Sequence, residues 1–259
     1  MSIISITDED VKYAESILLK AGQKFDDERV EFLKNLNTID LQAVPGSGKT
    51  TVLLAKLLIF ERYMPFKNGS GILVISHTNA AIDEIKSRIG AYCPKLFSYP
   101  NFVGTIQSFV NEFLAKPYIS QKFNIHINKV DTNLFENHLL SEFKRIAWST
   151  DYGKPTSFFW GRNIQKAKKK AIKSSENEKD VCNREVDKEI RNLYFDYSDN
   201  QIKLITDKKC LLKDPSNKKY QGIKKVIEDT LKSGFLSFEY AYIFANHFLK
   251  NNAIILRLL

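Results

Sequence analysis

The sequence predicts an α/β fold: an open parallel β-sheet flanked by helices, followed by a mainly helical region rich in basic residues. Two observations lead to this prediction. Short apolar runs alternate with segments of helical periodicity over residues 1–117, and after Pro117 the pattern becomes mostly helical. Such alternation is typical of parallel strands joined by right-handed crossover helices.

The first part of the chain contains a helical start and then three strand–helix pairs. Residues 8–34 predict one or two helices, because Val11, Ala14, Ile17 and Leu18 share one helical face. The compact apolar run over 72–76 is typical of a buried parallel strand. The three pairs are expected at 38–44 with 49–63, at 72–76 with 80–89, and at 102–105 with 106–114.

The region after Pro117 is predicted to be helical with one inserted β-hairpin. Over residues 163–173, one side of a helix carries Ile164, Ala167, Ala171 and Ile172, while lysines surround the rest. The segments 193–197 and 201–205 flank a Ser-Asp-Asn turn, which predicts a hairpin. Its aromatic residues Tyr194, Phe195 and Tyr197 are suited to stacking on bases, but ordinary packing within the hairpin is favoured. Further helices are expected within 120–175, near 221–233 and over 237–250.

The composition narrows the class of protein. The 259 residues are 43% hydrophobic and 27% charged, which argues against a disordered chain. Every apolar run is far shorter than the roughly 20 residues that span a bilayer, so we expect no membrane segment. The acidic start does not resemble a secretory signal, three widely spaced cysteines favour a reducing cytoplasm, and the four histidines lack zinc-site spacing.

The net charge of +9 is unevenly distributed. Residues 1–150 hold 17 Lys and Arg against 16 Asp and Glu, whereas residues 151–259 hold 22 against 14. A basic half next to a neutral half favours a surface for a polyanion such as nucleic acid. The alternative is a lysine-rich face that only contacts solvent. Charge alone favours a nucleic-acid surface only slightly over this alternative.

Residues 43–50, Ala-Val-Pro-Gly-Ser-Gly-Lys-Thr, match a phosphate-binding loop with alanine at the first position, between a predicted strand and a predicted helix. Gly46 and Gly48 allow the backbone to curl until its amides point at an anion. The start of the following helix adds positive potential. Lys49 is suited to bind the β- and γ-phosphates, and the Thr50 hydroxyl to coordinate Mg²⁺. The nucleotide-binding residues predicted on this basis are Ala43, Val44, Pro45, Gly46, Ser47, Gly48, Lys49, Thr50 and Thr51.

Two further polar segments follow predicted strands. One is 76–85, Ser-His-Thr-Asn-Ala-Ala-Ile-Asp-Glu-Ile, and the other is 103–109, Val-Gly-Thr-Ile-Gln-Ser-Phe. Each places small polar residues at the carboxyl end of a strand, where open α/β sheets bind ligands. Either segment alone is weak evidence, since Ser-His-Thr-Asn also serves as an ordinary helix cap.

Together the three segments resemble the first motifs of the UvrD/Rep-like superfamily 1 DNA helicases, in order and in spacing. Residues 43–50 resemble the Walker A loop, residues 76–85 motif Ia and residues 103–109 motif Ib. The resemblance covers about residues 38–114 and is looser beyond. It implies a RecA-like P-loop NTPase core whose sheet is incomplete in this chain, with a basic helical insert.

The resemblance also implies roles for individual residues. Lys49 and Thr50 would serve ATP and Mg²⁺ in catalysis, and the backbone of single-stranded DNA would be contacted by Thr78, Asn79, Thr105 and Ser108. His77 stands where the family often has an aromatic residue, and Gln107 replaces a histidine. The family's adenine-reading glutamine would fall near Arg29, and Gln23 lies earlier in the sequence.

Hydrolysis requires a second carboxylate cluster, which the family carries on its Walker B strand. The adjacent acidic pair in residues 151–259, Glu228-Asp229, follows a short basic stretch and is interpreted as a helix surface. We therefore expect the N-terminal portion of a 3′–5′ helicase that hydrolyses ATP poorly alone and is completed by the C-terminal motor half or by a partner protein. The expected divisions are a core at 1–117, a basic insert at 118–236 and a returning helix at 237–259.

Two other classes of function stay open. One is a non-catalytic nucleotide- or DNA-binding subunit of a larger assembly, for instance in phage defence. The other is a different P-loop phosphotransferase, which would leave the two additional motifs unexplained.

Overall fold

The computed structural model describes residues 4–42, 44 and 46–252. They belong to two compact units, unit 1 (residues 1–109) and unit 2 (residues 110–259). Both units combine helices with short strands, so the α/β class is confirmed. Within the described ranges, no helix has the length and apolar character that a membrane span requires. The domain boundaries expected after residues 117 and 236 stay predictions.

Three helices surround one core of unit 1: α1 (Asp8–Leu18), α2 (Asp27–Lys34) and α3 (Lys49–Tyr63). Thr7 and Asp10 form a reciprocal capping box at the start of α1. The buried Asp10 carboxylate also accepts hydrogen bonds from Arg62 (2.6 Å) and the Tyr63 hydroxyl (2.7 Å) of α3. These bonds fix α1 against the helix that follows the predicted phosphate loop.

The sheet of unit 1 has two parallel strands, β1 (Leu73–Ser76) and β2 (Phe102–Thr105). Each strand leads into a helix, α4 (Asn79–Ile89) after β1 and α5 (Ile106–Phe109) after β2. The register pairs Ser76 with Thr105. Because the strands are parallel, the two strand-to-helix turns lie side by side at one edge of the sheet, as the pattern predicts.

The strand predicted over residues 38–44 is wrong for the residues that the structure describes. Residues 38–42 and Val44 have no regular secondary structure, and Ala43 lies outside the described part of the chain. A strand is stable only when its backbone groups pair with a neighbour, and among the described residues β1 and β2 pair only with each other. The parallel sheet therefore has two strands where the pattern predicts three.

Unit 2 is mainly helical, in agreement with the sequence pattern. Its elements in chain order are a π-helical segment (Val110–Ala115), α6 (Lys116–Phe123), β3 (Lys129–Val130), α7 (Thr132–Ile146), α8 (Pro155–Ser174), α9 (Glu178–Arg191), β4 (Leu193–Asp196), β5 (Gln201–Leu204), β6 (Cys210–Leu212), α10 (Lys218–Lys232), β7 (Phe235–Leu236) and α11 (Phe238–Asn251). The helix predicted over 106–114 is thus split between α5 and the π-helical segment.

The predicted hairpin is confirmed as the antiparallel pair β4–β5, in which Leu193 lies opposite Leu204. The strand β6 adds a third member, and β3 pairs with β7 in a separate parallel ladder. The aromatic rings of the hairpin belong to the core: Tyr194 and Phe195 are buried, and the Phe195 amide donates to the Tyr240 hydroxyl at 3.2 Å. Their role is packing, as the sequence indicates.

The lysine-rich stretch over 166–191 forms helices α8 and α9, which pack against each other. Ala167 and Ala171 are buried as predicted, but the placement of Ile172 on the same side is wrong: it lies one position past Ala171, turned about 100° around the helix, and is 82% exposed. Glu185 of α9 is buried, and its carboxylate lies 2.6 Å from the Lys166 ammonium and 2.7 Å from that of Lys170. Burial alone raises the pKa of Glu185, but these two lysines lower it to about 2. A similar pair joins Asp196 to Lys203 at 2.8 Å, and the pKa of Asp196 also falls to about 2 against the opposing effect of burial.

Acid should destabilise unit 2 through these two carboxylates. Their folded pKa values are depressed, so their contribution is complete above their ordinary values of 4.5 and 3.8 and is lost as pH falls to about 2. The loss should be on the order of 2 kcal/mol for each. Urea unfolding followed between pH 7 and pH 2 measures it. The variant Glu185→Gln should be less stable at pH 7, and its free energy of unfolding should change less with pH than that of the original chain. If the free energy of unfolding changed with pH equally in both proteins, Glu185 would not be a source of the acid sensitivity.

The three cysteines differ in accessibility. Cys93 of unit 1 and Cys182 of unit 2 are buried, whereas Cys210 at the start of β6 is exposed. Burial and the nearby Glu61 raise the pKa of Cys93 to about 12, and burial also raises the pKa of Cys182. Both buried thiols are therefore protonated and unreactive at neutral pH.

Candidate functional site

The predicted phosphate loop turns through two glycines in the left-handed region, Gly46 at φ +82° and Gly48 at φ +87°. Other residues rarely adopt this conformation, which explains glycine at both positions. The helix α3 begins at Lys49, where no side chain caps it and its first turn has no acidic residue. Uncapped amides at a helix start attract anions.

Ser47, between the two glycines, has a buried hydroxyl with no hydrogen-bond partner among the described residues. Its amide donates to the Val44 carbonyl at 3.2 Å, and its carbonyl accepts from Arg29 at 2.8 Å. A desolvated hydroxyl without a partner costs about 1–3 kcal/mol. The orphaned Ser47 hydroxyl therefore fits a site for a ligand oxygen, such as that of a phosphate.

The remaining described residues of the predicted loop, Lys49, Thr50 and Thr51, form the start of α3. The Lys49 ammonium donates to the Val44 carbonyl at 2.9 Å, so this side chain folds over its own loop. Thr50 is exposed, while the Thr51 hydroxyl accepts from Arg88 of α4 at 3.3 Å. The other two predicted members, Ala43 and Pro45, lie outside the described residues.

Two cavities flank the start of α3. One, of about 360 Å³, is lined by Leu19, Gln23, Phe25, Arg29, Gly48 and Val52. The other, of about 470 Å³, is lined by Ile39, Leu41, Lys49, Thr50, Leu53 and Lys56. A larger apolar cavity of about 730 Å³ in unit 1 is lined by Phe60, Tyr63 and Phe66 and includes no residue of the loop. We consider the two smaller cavities relevant, because they contain the polar groups that a nucleotide requires.

Arg29 and Gln23 are neighbours of the phosphate loop, although the sequence pattern assigns neither of them a place at that loop. Arg29 pairs with the Asp26 carboxylate, and its guanidinium holds the Ser47 carbonyl. Gln23 and Gly48 both line the 360 Å³ cavity. Both residues are distant from Lys49 along the chain. No local sequence pattern indicates their position, because the packing of the N-terminal helices brings them to the loop.

The motif that follows β1 places Thr78 and Asn79 at the start of α4. Thr78 is the helix cap, and its hydroxyl accepts from the Ala81 amide at 3.3 Å. The Thr78 amide donates to the Ser76 hydroxyl at 3.3 Å. Asn79 is exposed in the first turn, next to His77, which is also exposed. The Thr78 hydroxyl thus has a capping role, while the Asn79 amide faces solvent.

The motif that follows β2 joins Thr105 and Ser108 to each other. Their hydroxyls lie 2.7 Å apart, the Thr105 amide donates to the Ser108 hydroxyl at 2.9 Å, and the Ser108 amide donates to the Thr105 hydroxyl at 3.2 Å. A Cβ at Gly104 would lie 3.1 Å from the Ser108 hydroxyl. The strand pairing brings this turn beside the one at Ser76.

The acidic pair Glu228-Asp229 lies on α10, where its interpretation as a helix surface is confirmed. Glu228 lies 3.6 Å from the Lys224 ammonium, and Asp229 lies 2.6 Å from Lys225 and 3.3 Å from Lys232. Throughout the described part of the chain, no group of three or more His, Cys, Asp or Glu side chains is placed to hold a metal ion.

Known proteins resemble the chain in sequence. It is 32% identical over 119 residues to Gabija protein GajB of Bacillus cereus (strain VD045), a match that covers 46% of this chain and 23% of GajB. The matched part thus spans about a quarter of that relative. No solved structure gives a significant match.

The family comparison covers most of the chain. The UvrD/REP helicase N-terminal domain matches residues 26–258, which include the phosphate loop, both strand-to-helix turns and nearly all of unit 2. The chain therefore belongs to the UvrD/REP helicase N-terminal domain family.

Proposed function

We propose that this chain is the ATP-binding portion of an ATP-dependent 3′–5′ DNA helicase or translocase that moves on single-stranded DNA. Its family membership supports the proposal. One observation carries the nucleotide part. The loop before α3 combines two left-handed glycines, an uncapped helix start and a buried Ser47 hydroxyl with no partner among the described residues.

The residues of the loop divide the work of binding. The Ser47 hydroxyl and the amides at the start of α3 hold phosphate oxygens, and the Lys49 ammonium exchanges the Val44 carbonyl for the β- and γ-phosphates. Thr50 contributes a hydroxyl to Mg²⁺. When bound, ATP with Mg²⁺ supplies the phosphoryl group whose hydrolysis drives movement. Arg29 steadies the loop through the Ser47 carbonyl.

The base of the nucleotide is assigned to the 360 Å³ cavity beside Gly48. Leu19, Phe25 and Val52 offer apolar surface for a base, and Gln23 offers an amide with both donor and acceptor groups. The resemblance puts the adenine-reading glutamine near Arg29, where no glutamine stands, and we assign this role to Gln23, which lies earlier in the sequence.

The DNA contacts are assigned to the edge of the sheet where β1 and β2 end. Asn79 and the amides in the first turn of α4 are accessible, and Thr105 with Ser108 forms the neighbouring turn. Because the hydroxyls of Thr78, Thr105 and Ser108 already have local partners, their contribution is to shape the turns that meet the phosphates. The hydrolytic carboxylates are assigned to the C-terminal motor half or to a partner protein.

Titration with a fluorescent ATP analogue tests the nucleotide assignment. Binding should require Mg²⁺, and Thr50→Ala should weaken the Mg²⁺-dependent part about tenfold while Thr51→Ala has a smaller effect, because the Thr51 hydroxyl is held by Arg88. If Thr50→Ala and Thr51→Ala gained equally in ATP affinity when Mg²⁺ is added, the role of Thr50 would be contradicted.

A second candidate is a nucleotide- and DNA-binding subunit that does not hydrolyse ATP. The ion pairs of Glu228 and Asp229 with lysines favour it, because they leave this acidic pair engaged on a helix surface. An ATPase assay on the product of the full coding sequence, with and without single-stranded DNA, separates the two. DNA-stimulated hydrolysis supports the motor, and nucleotide binding without hydrolysis supports the second candidate.

A further inference from the structure

The loop that joins α7 to α8, residues 147–154, holds an exposed tryptophan on an ordered turn. Trp148 is 67% exposed. Backbone hydrogen bonds close the loop beneath it, from Lys154 to Ser149 at 2.8 Å and from Thr156 to Ala147 at 3.1 Å. Exposing an indole forgoes the free energy that its burial would provide. An ordered loop that presents the ring to solvent is therefore a candidate contact for a ligand.

The same loop packs against the start of α10. A Cβ at Gly222 would lie 2.7 Å from the Tyr152 Cβ, so the two elements are in close contact there. A Cβ at Gly153 would lie 3.5 Å from the Lys218 Cβ and 3.3 Å from the Lys219 Cγ. This packing brings Lys154, the next residue, beside two lysines that are more than 60 positions away in the sequence.

These three lysines carry charge that their surroundings do not neutralise. Lys154, Lys218 and Lys219 form no ion pair with any described residue, whereas Lys166, Lys170, Lys203 and Lys225 all do. The first turn of α10 contains no acidic residue, and Asp151 is the one acid of the loop. Unit 2 as a whole has 27 Lys and Arg against 18 Asp and Glu. The surface thus favours a polyanion.

Lys154 also has an unusual backbone. It lies at φ +50° and precedes Pro155, at the start of α8. Lysine rarely occupies this region, and such strain is concentrated at functional sites. Glycine would adopt the same conformation at lower cost, so the fold alone does not account for lysine here.

We propose that Trp148, Lys154, Lys218 and Lys219 form a binding surface for single-stranded nucleic acid on unit 2. One unpaired base stacks on the indole, and adjacent phosphates contact the three ammonium groups. A duplex fits less well, because its bases are stacked on each other. The inference rests on the proposed function only in taking single-stranded nucleic acid as the partner, and it assigns residues outside the family motifs of unit 1.

Tryptophan fluorescence of the full chain tests the stacking contact, because the sequence has two tryptophans, Trp148 and Trp160. In the variant Trp160→Phe, an oligothymidylate of about 12 nucleotides should quench the emission of Trp148. In Trp148→Phe, the emission of Trp160 should change little, and affinity measured by anisotropy of a labelled oligonucleotide should fall about tenfold. A duplex of equal length should leave Trp148 largely unquenched.

Matched charge variants test the phosphate contacts. Lys218→Gln with Lys219→Gln should weaken oligonucleotide binding at least tenfold and reduce the slope of log affinity against log salt by about 1.4. The control pair Lys169→Gln with Lys173→Gln removes the same charge from exposed positions of α8 that form no ion pair with described residues, and it should leave the slope nearly unchanged. Equal effects of the two pairs would overturn the location of the surface.

Lys154→Gly separates binding from folding. It should leave the thermal unfolding temperature unchanged or higher, because glycine relieves the positive φ, while oligonucleotide affinity falls several-fold. Oligonucleotide binding with no Trp148 quenching would overturn this inference and leave the proposed function intact. If no oligonucleotide bound at all, both this inference and the DNA-binding part of the proposed function would be contradicted. If anionic lipid vesicles quenched Trp148 and oligonucleotides did not, the surface would be reassigned to membranes.

Discussion

Replacing Lys49 with alanine should reduce ATP affinity about 10- to 100-fold without unfolding the chain, because a hydrogen bond to a charged group contributes about 1.5–3 kcal/mol. Lys49 is the first residue of α3, and its ammonium donates a hydrogen bond to the Val44 carbonyl at 2.9 Å. Alanine keeps the helix and removes the cation. Titration with a fluorescent ATP analogue measures the loss, and far-UV circular dichroism verifies the fold.

Lys12→Ala is the matched control for Lys49. Lys12 is an exposed lysine on α1, so its removal changes the net charge of unit 1 equally without touching the loop. Nucleotide affinity should stay within twofold of the unmodified chain, since an exposed distant charge is largely screened by salt. If Lys49→Ala bound ATP as well as Lys12→Ala, the phosphate site would have to lie elsewhere.

Gly71→Ala should destabilise unit 1 by roughly 3 kcal/mol, because it forces a side chain into backbone. A Cβ at Gly71 would lie 2.2 Å from the Pro100 carbonyl oxygen. The neighbouring bonds join the strands at their start: the Phe102 amide donates to the Ile72 carbonyl at 2.9 Å, and the Ile72 amide donates to the Asn101 side chain at 2.8 Å. To relieve the clash, the segment at Gly71 would have to move away from the segment at Pro100, and this movement would disrupt these hydrogen bonds.

Urea unfolding compares Gly71→Ala with Gly161→Ala. Gly161 lies in α8, and its added Cβ would have no atom within 4 Å, so alanine there should stabilise the helix by about 0.5–1 kcal/mol. The two substitutions are chemically identical and should act in opposite directions. A Gly71→Ala variant as stable as the original chain would mean that the strands do not start as described.

Local sequence pattern predicts several elements together with their bounds. The helix α3 begins and ends where periodicity places it, the hairpin β4–β5 follows its turn residues, and β2 has its predicted bounds. The strand over 38–44 has an equally good apolar pattern, yet strand formation depends on a neighbour that the pattern does not contain. The strands β3 and β7, with two residues each, are too short to give a periodic signal.

The candidate site divides in the same way. The sequence motif predicts conformational freedom at Gly46 and Gly48, and both residues have positive φ. The orphaned Ser47 hydroxyl, the Arg29 contact and the cavity lined by Gln23 depend on packing between distant segments, which no local pattern reports.

Each of the two units contains one buried cysteine, so the reactivity of its thiol reports the local opening of that unit. A modifying reagent can reach Cys93 only when unit 1 opens and Cys182 only when unit 2 opens, while Cys210 reacts from the native state. The labelling rates of Cys93 and Cys182 therefore give two separate free energies of opening from one sample. The labelling rate of the exposed Cys210 supplies the reference rate for an accessible thiol.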